Sequence, residues 1–322
     1  MNNDPFSEIL QFTHAQSVVS GGFSAGGAWS IRFPAPDKIK FFALIKGHCW
    51  LYFEDAASAI DIDEGDVILL AAPRSFVLAG DLAALPLDAM SIFGGGTRYM
   101  AKIGDSEECI QIGGHIQLDP VNGGLLSTVL PPLIHVRAAA PQATVLQWLL
   151  EQLVRERAGQ LPGAQIASAQ LAQLMFVQIL RVHLSSAGTV KAGWLRALAD
   201  PRIAPILRLI HDDPGHAWRL EELAAAAAMS RTTFALHFKA AAGVAPLTYL
   251  TEWRMRLAER ALREDDMPVA VLARSLGYTS ESAFSNAFKR ITGSAPKRYR
   301  NAARAMRPLA ENIAQPESTA RI

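Results

Sequence analysis

Between about residues 18 and 118, apolar and polar positions alternate in short runs. Trp29, Ile31 and Phe33 are separated by Ser30 and Arg32, and Ile60 and Ile62 by Asp61, the period of two that a half-buried strand requires. The run KIKFFALIKGHCWLYFED reads as two strands hinged at Gly47, and EGDVILLA as another strand entered through a Gly-Asp turn. Many short antiparallel strands broken by Gly and Pro predict a small barrel or jelly roll. Near Ala143 the period lengthens. Val145, Leu146, Leu149, Leu150, Leu153 and Val154 follow the i, i+3, i+4 spacing of a helix, and after the breaker LPGA so do Ile166, Leu171, Leu174, Val177 and Leu184. Two adjacent amphipathic helices with wide apolar stripes invite pairing with a second copy of the chain, and packing on their own barrel alone is the alternative. HLSSAGTVKAGW, from His183 to Trp194, is polar and Gly-containing and reads as a linker. Everything after Trp194 reads as helix, up to a tail from Pro308 whose pattern predicts fraying.

The expectation is a multidomain chain: an all-β barrel over 1–142, a helical dimerisation segment over 143–185, a linker over 186–199, an all-α domain over 200–307 and a flexible tail over 308–322. Its 322 residues agree, because they exceed what one core usually organises. Half of the residues are hydrophobic and 19% are charged, a composition that folds. No apolar run approaches the roughly 20 residues of a membrane helix, and MNNDPFSEIL lacks the pattern of a signal peptide, so a cytoplasmic protein without membrane contact is expected. Charge changes the picture more. Residues 1–190 hold 11 Lys and Arg against 17 Asp and Glu, a net −6, whereas residues 191–322 hold 20 against 13, a net +7. The C-terminal part is therefore where a polyanion would bind.

That part contains an internal repeat. Laying Phe234 on Phe284, an offset of 50, brings Ser230 onto Ser280, Phe238 onto Phe288, Lys239 onto Lys289, Gly243 onto Gly293, Pro246 onto Pro296 and Tyr249 onto Tyr299. Before the turn the offset is 49, since Leu223-Ala224 falls on Leu272-Ala273, and one extra residue around Gly277-Tyr278-Thr279 accounts for it. Each copy has the parts of a helix-turn-helix. A short helix (LEELAAAA; VAVLARSL) leads through a tight turn to a Ser that can cap the next helix, which ends at Gly243 or Gly293. The paired phenylalanines, four apart, define an inward face. The outward face then presents Thr232, Ala235, Leu236 and Lys239 in the first copy and Ser282, Ser285, Asn286 and Lys289 in the second. A major groove accepts one such helix, with exposed side chains reading base edges and flanking cations holding phosphates. Arg231, Lys239, Lys289, Arg290, Lys297 and Arg298 fit the phosphate role, and the capping residues Ser230 and Ser280 are counted with the DNA-binding positions. PLTYLTEWRMRLAERALRE between the copies is one strong helical pattern, able to hold two recognition helices at a fixed spacing.

From about Asp200 to Arg300 the chain resembles the AraC/XylS family of bacterial transcription regulators. MSRTTFALHFKAAAGVAPLTYLTEWRMRLAERAL and LARSLGYTSESAFSNAFKRITGSAPKRYR carry the resemblance. It implies two helix-turn-helix units joined by a long helix, binding double-stranded DNA. Ala228 departs from it, because the first turn of that family commonly has Gly there, and a left-handed Ala costs about 1 kcal/mol. Ala235 and Leu236 depart as well, since neither can hydrogen-bond to a base. WSIRFPAPDKIKFFALIKGHCWLYF, EGDVILLAAPRS and LPPLIHV are similar to the cupin-type sensor domain of one AraC subgroup, over residues 5–185. That resemblance implies effector sensing and homodimerisation, with RNA polymerase as a further partner if the protein activates.

Two rival readings concern the cysteines and the barrel. Cys49 and Cys109 have neither disulfide-framework nor zinc spacing and read as buried small hydrophobes, with redox sensing as the alternative. A cupin enzyme with an accessory DNA-binding domain would need metal ligands. Metal-dependent cupins use a His-x-His pair, a nearby Glu and a later His, but here His48 stands alone with Trp50 two residues on, and Phe76 sits where a later His would be. There is no GxSxG, P-loop or HExxH, and GGGT at Gly94–Thr97 reads as a turn. The expectation is therefore a non-enzyme without metal or cofactor. A barrel interior suits a small organic effector, with Trp29, Arg32, His48, Trp50 and Phe76 as candidates and plain core packing as the alternative for each aromatic. Alternation places His48, Trp50 and Tyr52 on one strand face and Cys49, Leu51 and Phe53 on the other, and leaves open which faces inward.

Overall fold

The computed structural model describes residues 4–56, 58–94, 100–159, 161–185 and 191–305. They form two compact units, Asp4–Ala199 and Asp200 onward. Residues 186–190 of the expected linker, the expected tail over 308–322, and GGGT beyond Gly94 lie outside the described residues. Among the described residues no helix is long and apolar enough to cross a membrane.

The first unit opens with α1 (Pro5–Phe12), whose N-terminal amides of Phe6 and Ser7 donate to the Asp4 carboxylate. Two sheets follow. One has six strands in the order β11-β6-β3-β10-β1-β9 and the other five in the order β5-β4-β7-β2-β8. The ranges are β1 Gln16–Ala25, β2 Ser30–Phe33, β3 Ile39–Lys46, β4 His48–Tyr52, β5 Ile60–Asp63, β6 Val67–Leu70, β7 Phe76–Ala79, β8 Leu87–Asp88, β9 Met100–Ile103, β10 Cys109–Gln117 and β11 Leu133–Val136. Most pairings are antiparallel as expected, but the edge strands β8 and β9 run parallel to β2 and β1. Between β8 and β9 lies α2 (Ala89–Phe93), and α3 (Gly124–Ser127) precedes β11.

Gly47 is a corner between sheets, not a hairpin turn: β3 pairs with β10 and β6, whereas β4 pairs with β5 and β7 in the other sheet. Its φ of +83 suits glycine, and a Cβ there would lie 2.1 Å from the Glu108 carbonyl oxygen. The corner decides which way β4 faces. Cys49, Leu51 and Phe53 join Phe23, Phe42, Leu44, Ile62, Ile68 and Leu78 in the core between the sheets, so His48, Trp50 and Tyr52 lie on the outer side. Cys49 and Cys109 are both buried in this core. The hydrogen bond with the Cys109 thiol, and then burial, push the Cys49 thiol up, away from the reactive thiolate.

After Gly65 the chain enters β6 through Asp66, whose buried carboxylate accepts from the amides of Ala138 (2.8 Å) and Asp63 (3.2 Å) and meets His135 Nε2 at 2.6 Å. This knot ties the β5–β6 turn to the chain leaving β11, from which α4 (Thr144–Gly159) and α5 (Ala164–Ser185) rise. Leu146, Leu149, Leu150 and Leu153 of α4 are buried as the periodicity predicts. The α5 stripe is different. The buried side is Ala172, Met175, Phe176, Ile179, Leu180 and His183, whereas Ile166 is 71% and Leu174 51% exposed. The helix carries apolar residues on more than one side: of those read from sequence as its core stripe, Ile166 and Leu174 are exposed and Leu171, Val177 and Leu184 half-buried. Gln173 fixes the rotation: its Oε1 accepts from the Ser17 amide and its Nε2 donates to the Ala15 carbonyl, both at 2.9 Å. The end of the expected linker is also a helix, α6 (Trp194–Ala199). Trp194 is buried, packs on Phe6 and donates from Nε1 to the Leu125 carbonyl at 2.7 Å, anchoring α6 in the first unit.

The second unit is all helical: α7 Ala204–Asp212, α8 Leu220–Ala226, α9 Arg231–Ala242, α10 Pro246–Glu264, α11 Val269–Ser275, α12 Glu281–Thr292 and α13 Pro296–Ala305. A proline opens α10 and α13 at the first helical position, where its missing N–H costs nothing.

Candidate functional site

Each repeat folds as α8–turn–α9 or α11–turn–α12, with the same devices at both ends. Ser230 Oγ accepts from the Thr233 amide (3.2 Å) and Ser280 Oγ from the Ala283 amide (3.1 Å), capping α9 and α12. Gly243 and Gly293 end them in the left-handed region, with φ of 82 and 77. Phe234, Phe238, Phe284 and Phe288 are wholly buried. Phe238 meets Tyr249 edge-on at 5.8 Å and Phe288 meets Tyr299 at 5.4 Å, so the coincident sequence positions make the same contact in each copy.

The turns differ by the one residue that the change of offset predicts. Ala228, Met229 and Ser230 stand in the first copy, and Gly277, Tyr278, Thr279 and Ser280 in the second. Ala228 does adopt the left-handed backbone, with φ 53, beside φ 76 for Gly277. The first turn therefore keeps the shape expected of glycine and holds the strain.

Burial along α9 and α12 is identical position by position from Arg231 to Ala240 and from Glu281 to Arg290. Thr232, Leu236 and Lys239 are exposed and Ala235 half-buried; Ser282, Asn286 and Lys289 are exposed and Ser285 half-buried. The two outward faces are congruent in shape and different in chemistry. Leu236, 67% exposed, stands where Asn286 stands in the second copy. Arg290, Lys297 and Arg298 are also exposed. Arg231 is engaged by Glu221 at 2.6 Å, an exposed pair that phosphate would have to compete with.

The long helix α10 serves both copies. Tyr249, Leu250 and Trp253 are buried in its N-terminal half, where His211 stacks on Trp253 at 4.0 Å and meets Tyr249 Oη at 2.8 Å. Met255, Ala258 and Leu262 belong to the core with Phe284 and Phe288. Arg254, which sequence reasoning missed, sits between these halves. It donates to the carbonyls of Pro214 (2.6 Å) and His216 (2.7 Å), and lies over the Tyr278 ring at 5.7 Å. Nothing in the local sequence marks it, because its acceptors lie about 40 residues upstream. His237 of α9 is tied to Asp200 at 2.7 Å.

In the first unit, Phe76 stacks on Phe33 and lines a cavity of about 450 Å³. Trp29 is buried in the core against Phe23. Arg32 is exposed and pairs with Glu54 at 2.7 Å. His48, on the outer face, bonds to Asp61 and packs against Trp50. Of the five candidates only Phe76 reaches that cavity. Among the described residues no group of three or more His, Cys, Asp or Glu is placed to hold a metal ion.

Residues 4–185 match the family described as Cupin, and residues 223–302 the Helix-turn-helix domain. A putative AraC-like transcription regulator of Streptomyces antibioticus is 41% identical over 297 residues, covering 92% of this chain and 98% of that protein. The chain belongs to the AraC-like transcription regulators. As such it is a DNA-binding transcription regulator with a β-rich cupin domain followed by a helical helix-turn-helix domain. Similar relatives of this regulator include the transcriptional regulator AlkR of Acinetobacter baylyi, 28% identical over 92% of this chain and 99% of that one. The RCS-specific transcriptional activator RclR of Escherichia coli is 27% identical over 95% of this chain and all of its own.

Proposed function

We propose that this regulator reads DNA through two unequal recognition helices, acts as a homodimer and responds to a small-molecule effector through its cupin domain. The observation that carries the first part is the congruence of α9 and α12 with unlike outward residues. Asn286 can pair with a base edge in the major groove, while Leu236 and Ala235 offer apolar surface to thymine methyls. Thr232, Ser282 and Ser285 flank these positions, and Lys239, Lys289 and Arg290 supply charge for phosphates. Ser230, Arg231 and Ser280 stand at the helix ends nearest the backbone, the two serines acting mainly through the caps they form.

Dimerisation is supported by the second apolar side of α5 and by exposed Trp148 on α4. Sensing is supported by a separate β unit with a cavity. The names of the relatives, transcription regulators, favour action by binding over catalysis. RNA polymerase is the partner implied if this regulator activates, and the cytoplasm is where it would meet DNA.

The test is selection of preferred sites from random double-stranded DNA, followed by affinity measurements for every single-base change. Asn286→Ala should relax discrimination by about 1–3 kcal/mol at one base pair, and Leu236→Ala should weaken binding with little change in preference. Unchanged preference at every position for Asn286→Ala would overturn the assignment.

A further inference from the structure

Three features of the first unit stand apart from the DNA-reading helices: the two buried thiols, the second apolar side of α5, and the cavity. The thiols are shielded and Cys49 is held protonated, and the α5 side belongs to the proposed dimer. The cavity carries more. It lies between the sheets, reached by β1, β2, β3, β7 and β10 and covered by α2. Its volume of about 450 Å³ falls within the range of sites for small organic molecules.

Its walls are aromatic. Phe33 and Phe76 are parallel, with centroids 4.9 Å apart and planes within 8°, and Phe33 stacks on Phe93 at 6.0 Å. Phe23 meets Phe93 at 6.3 Å. Stacked on one another, the rings still turn aromatic surface toward the cavity they line.

Two polar groups break this surface. Gln111 pairs with Phe23 on one side and Leu44 on the other, so it shares the inward face of its sheet. It is only 8% exposed and lines the cavity, yet its amide has no hydrogen-bond partner among the described residues. Its side-chain N and O are not among the fully buried atoms left without a partner, so they face the open cavity, where a ligand's polar atom can pair with them. Gly113 lies beside it, and a Cβ there would meet the Phe41 carbonyl oxygen at 2.9 Å and Gln111 Nε2 at 3.0 Å. Lys40 stands two residues before Phe42 on the inward row of β3, half-buried, lining the same cavity and without an ion pair among the described residues. The opening also carries Asp37, which is exposed. At nearby His115, burial and then Lys38 and Lys40 lower the pKa, with Asp37 opposing them.

From these groups we infer that the cavity binds a flat aromatic carboxylate. Its ring lies against Phe33, Phe76 and Phe93, a polar atom meets the Gln111 amide, and its carboxylate reaches the Lys40 ammonium. The inference rests on the reading of the cupin domain as a sensor and adds the chemical class of its effector.

Calorimetric titration of the full chain with benzoate, 2-naphthoate and indole-3-carboxylate tests it, with neutral 2-naphthamide and decanoate alongside. At least one aryl carboxylate should bind at one site per chain. Lys40→Met should weaken that binding about tenfold, the worth of a charge-assisted hydrogen bond, and leave 2-naphthamide unaffected. Gln111→Leu should weaken both, and if that variant does not fold, Lys40→Met alone decides. Failure of all three acids to bind at millimolar concentration, affinity indifferent to Lys40→Met, or decanoate binding more tightly than every aryl acid would each overturn the inference. Affinity for a selected DNA site, measured with the acid present, separates the two readings. Binding of the acid with unchanged DNA affinity supports the site and sinks the sensor reading. Absence of binding sinks the site and leaves the sensor reading to another ligand.

Discussion

Ala228 and Gly277 occupy the same place in the two turns, with φ of 53 and 76. A side chain in this region costs about 1 kcal/mol. Ala228→Gly is therefore expected to steady the first copy by something under about 1 kcal/mol, because glycine also gains freedom in the unfolded chain. Gly277→Ala should cost the second copy more, since its Cβ would lie 2.2 Å from the Gly215 carbonyl oxygen. Amide hydrogen exchange in the full chain reads the copies separately, and opposite signs are the expected outcome. The departure at Ala228 was visible in sequence, but whether the turn would change shape or bear the strain was not. His183 supplies a pH dependence. Burial lowers its pKa from 6.5, and its Nε2 has no partner among the described residues. The unfolded chain then takes up the proton more readily than the folded one. Stability of the first unit is fully present above pH 6.5 and is lost as pH falls through the lowered native value. His183→Leu should flatten that acid limb in urea denaturation curves, and an unchanged slope would remove His183 as a cause.

At the scale of elements, α5 is the instructive case. Its 22 residues carry enough apolar positions for two stripes, and periodicity alone selects Ile166, Leu171, Leu174, Val177 and Leu184, two of them exposed and three half-buried, because both stripes satisfy the same spacing. The Gln173 clasp on the start of β1 decides the rotation. An apolar side left over after the core is filled wants a partner, and neighbouring α4 also exposes Trp148, by 56%. Ile166→Glu combined with Leu174→Glu should turn a dimer into a monomer in sedimentation velocity while the first unit stays folded. A dimer that survives both changes would place its interface elsewhere. The recognition helices behave differently. Caps, phenylalanines and terminal glycines all lie within one repeat, so α9 and α12 were readable nearly to the residue.

For the whole molecule, charge is the property that reaches furthest. Lys239, Lys289, Arg290, Lys297 and Arg298 are exposed, and Lys239, Lys289 and Arg290 make no ion pair among the described residues. Each phosphate neutralised adds about −0.9 to the slope of log affinity against log salt. A slope near −4 to −5 per DNA-binding domain is expected from these five, and Lys289→Ala should make it shallower by about 1 in fluorescence anisotropy at several salt concentrations. An unaltered slope would take Lys289 off the backbone.

The sequence by itself determined that there are two kinds of domain, that the second holds two helix-turn-helix copies, and which side chains those copies turn outward. These follow from short-range rules: period, capping and turn chemistry act within a few residues. The tertiary structure alone decided which face of β4 looks inward, which stripe of α5 is core, that Arg254 braces two loops, and that Gln111 and Lys40 share a cavity with Phe76. Each depends on a partner far along the chain, brought near by sheet order and packing, and the local pattern reads the same whichever way that partner falls.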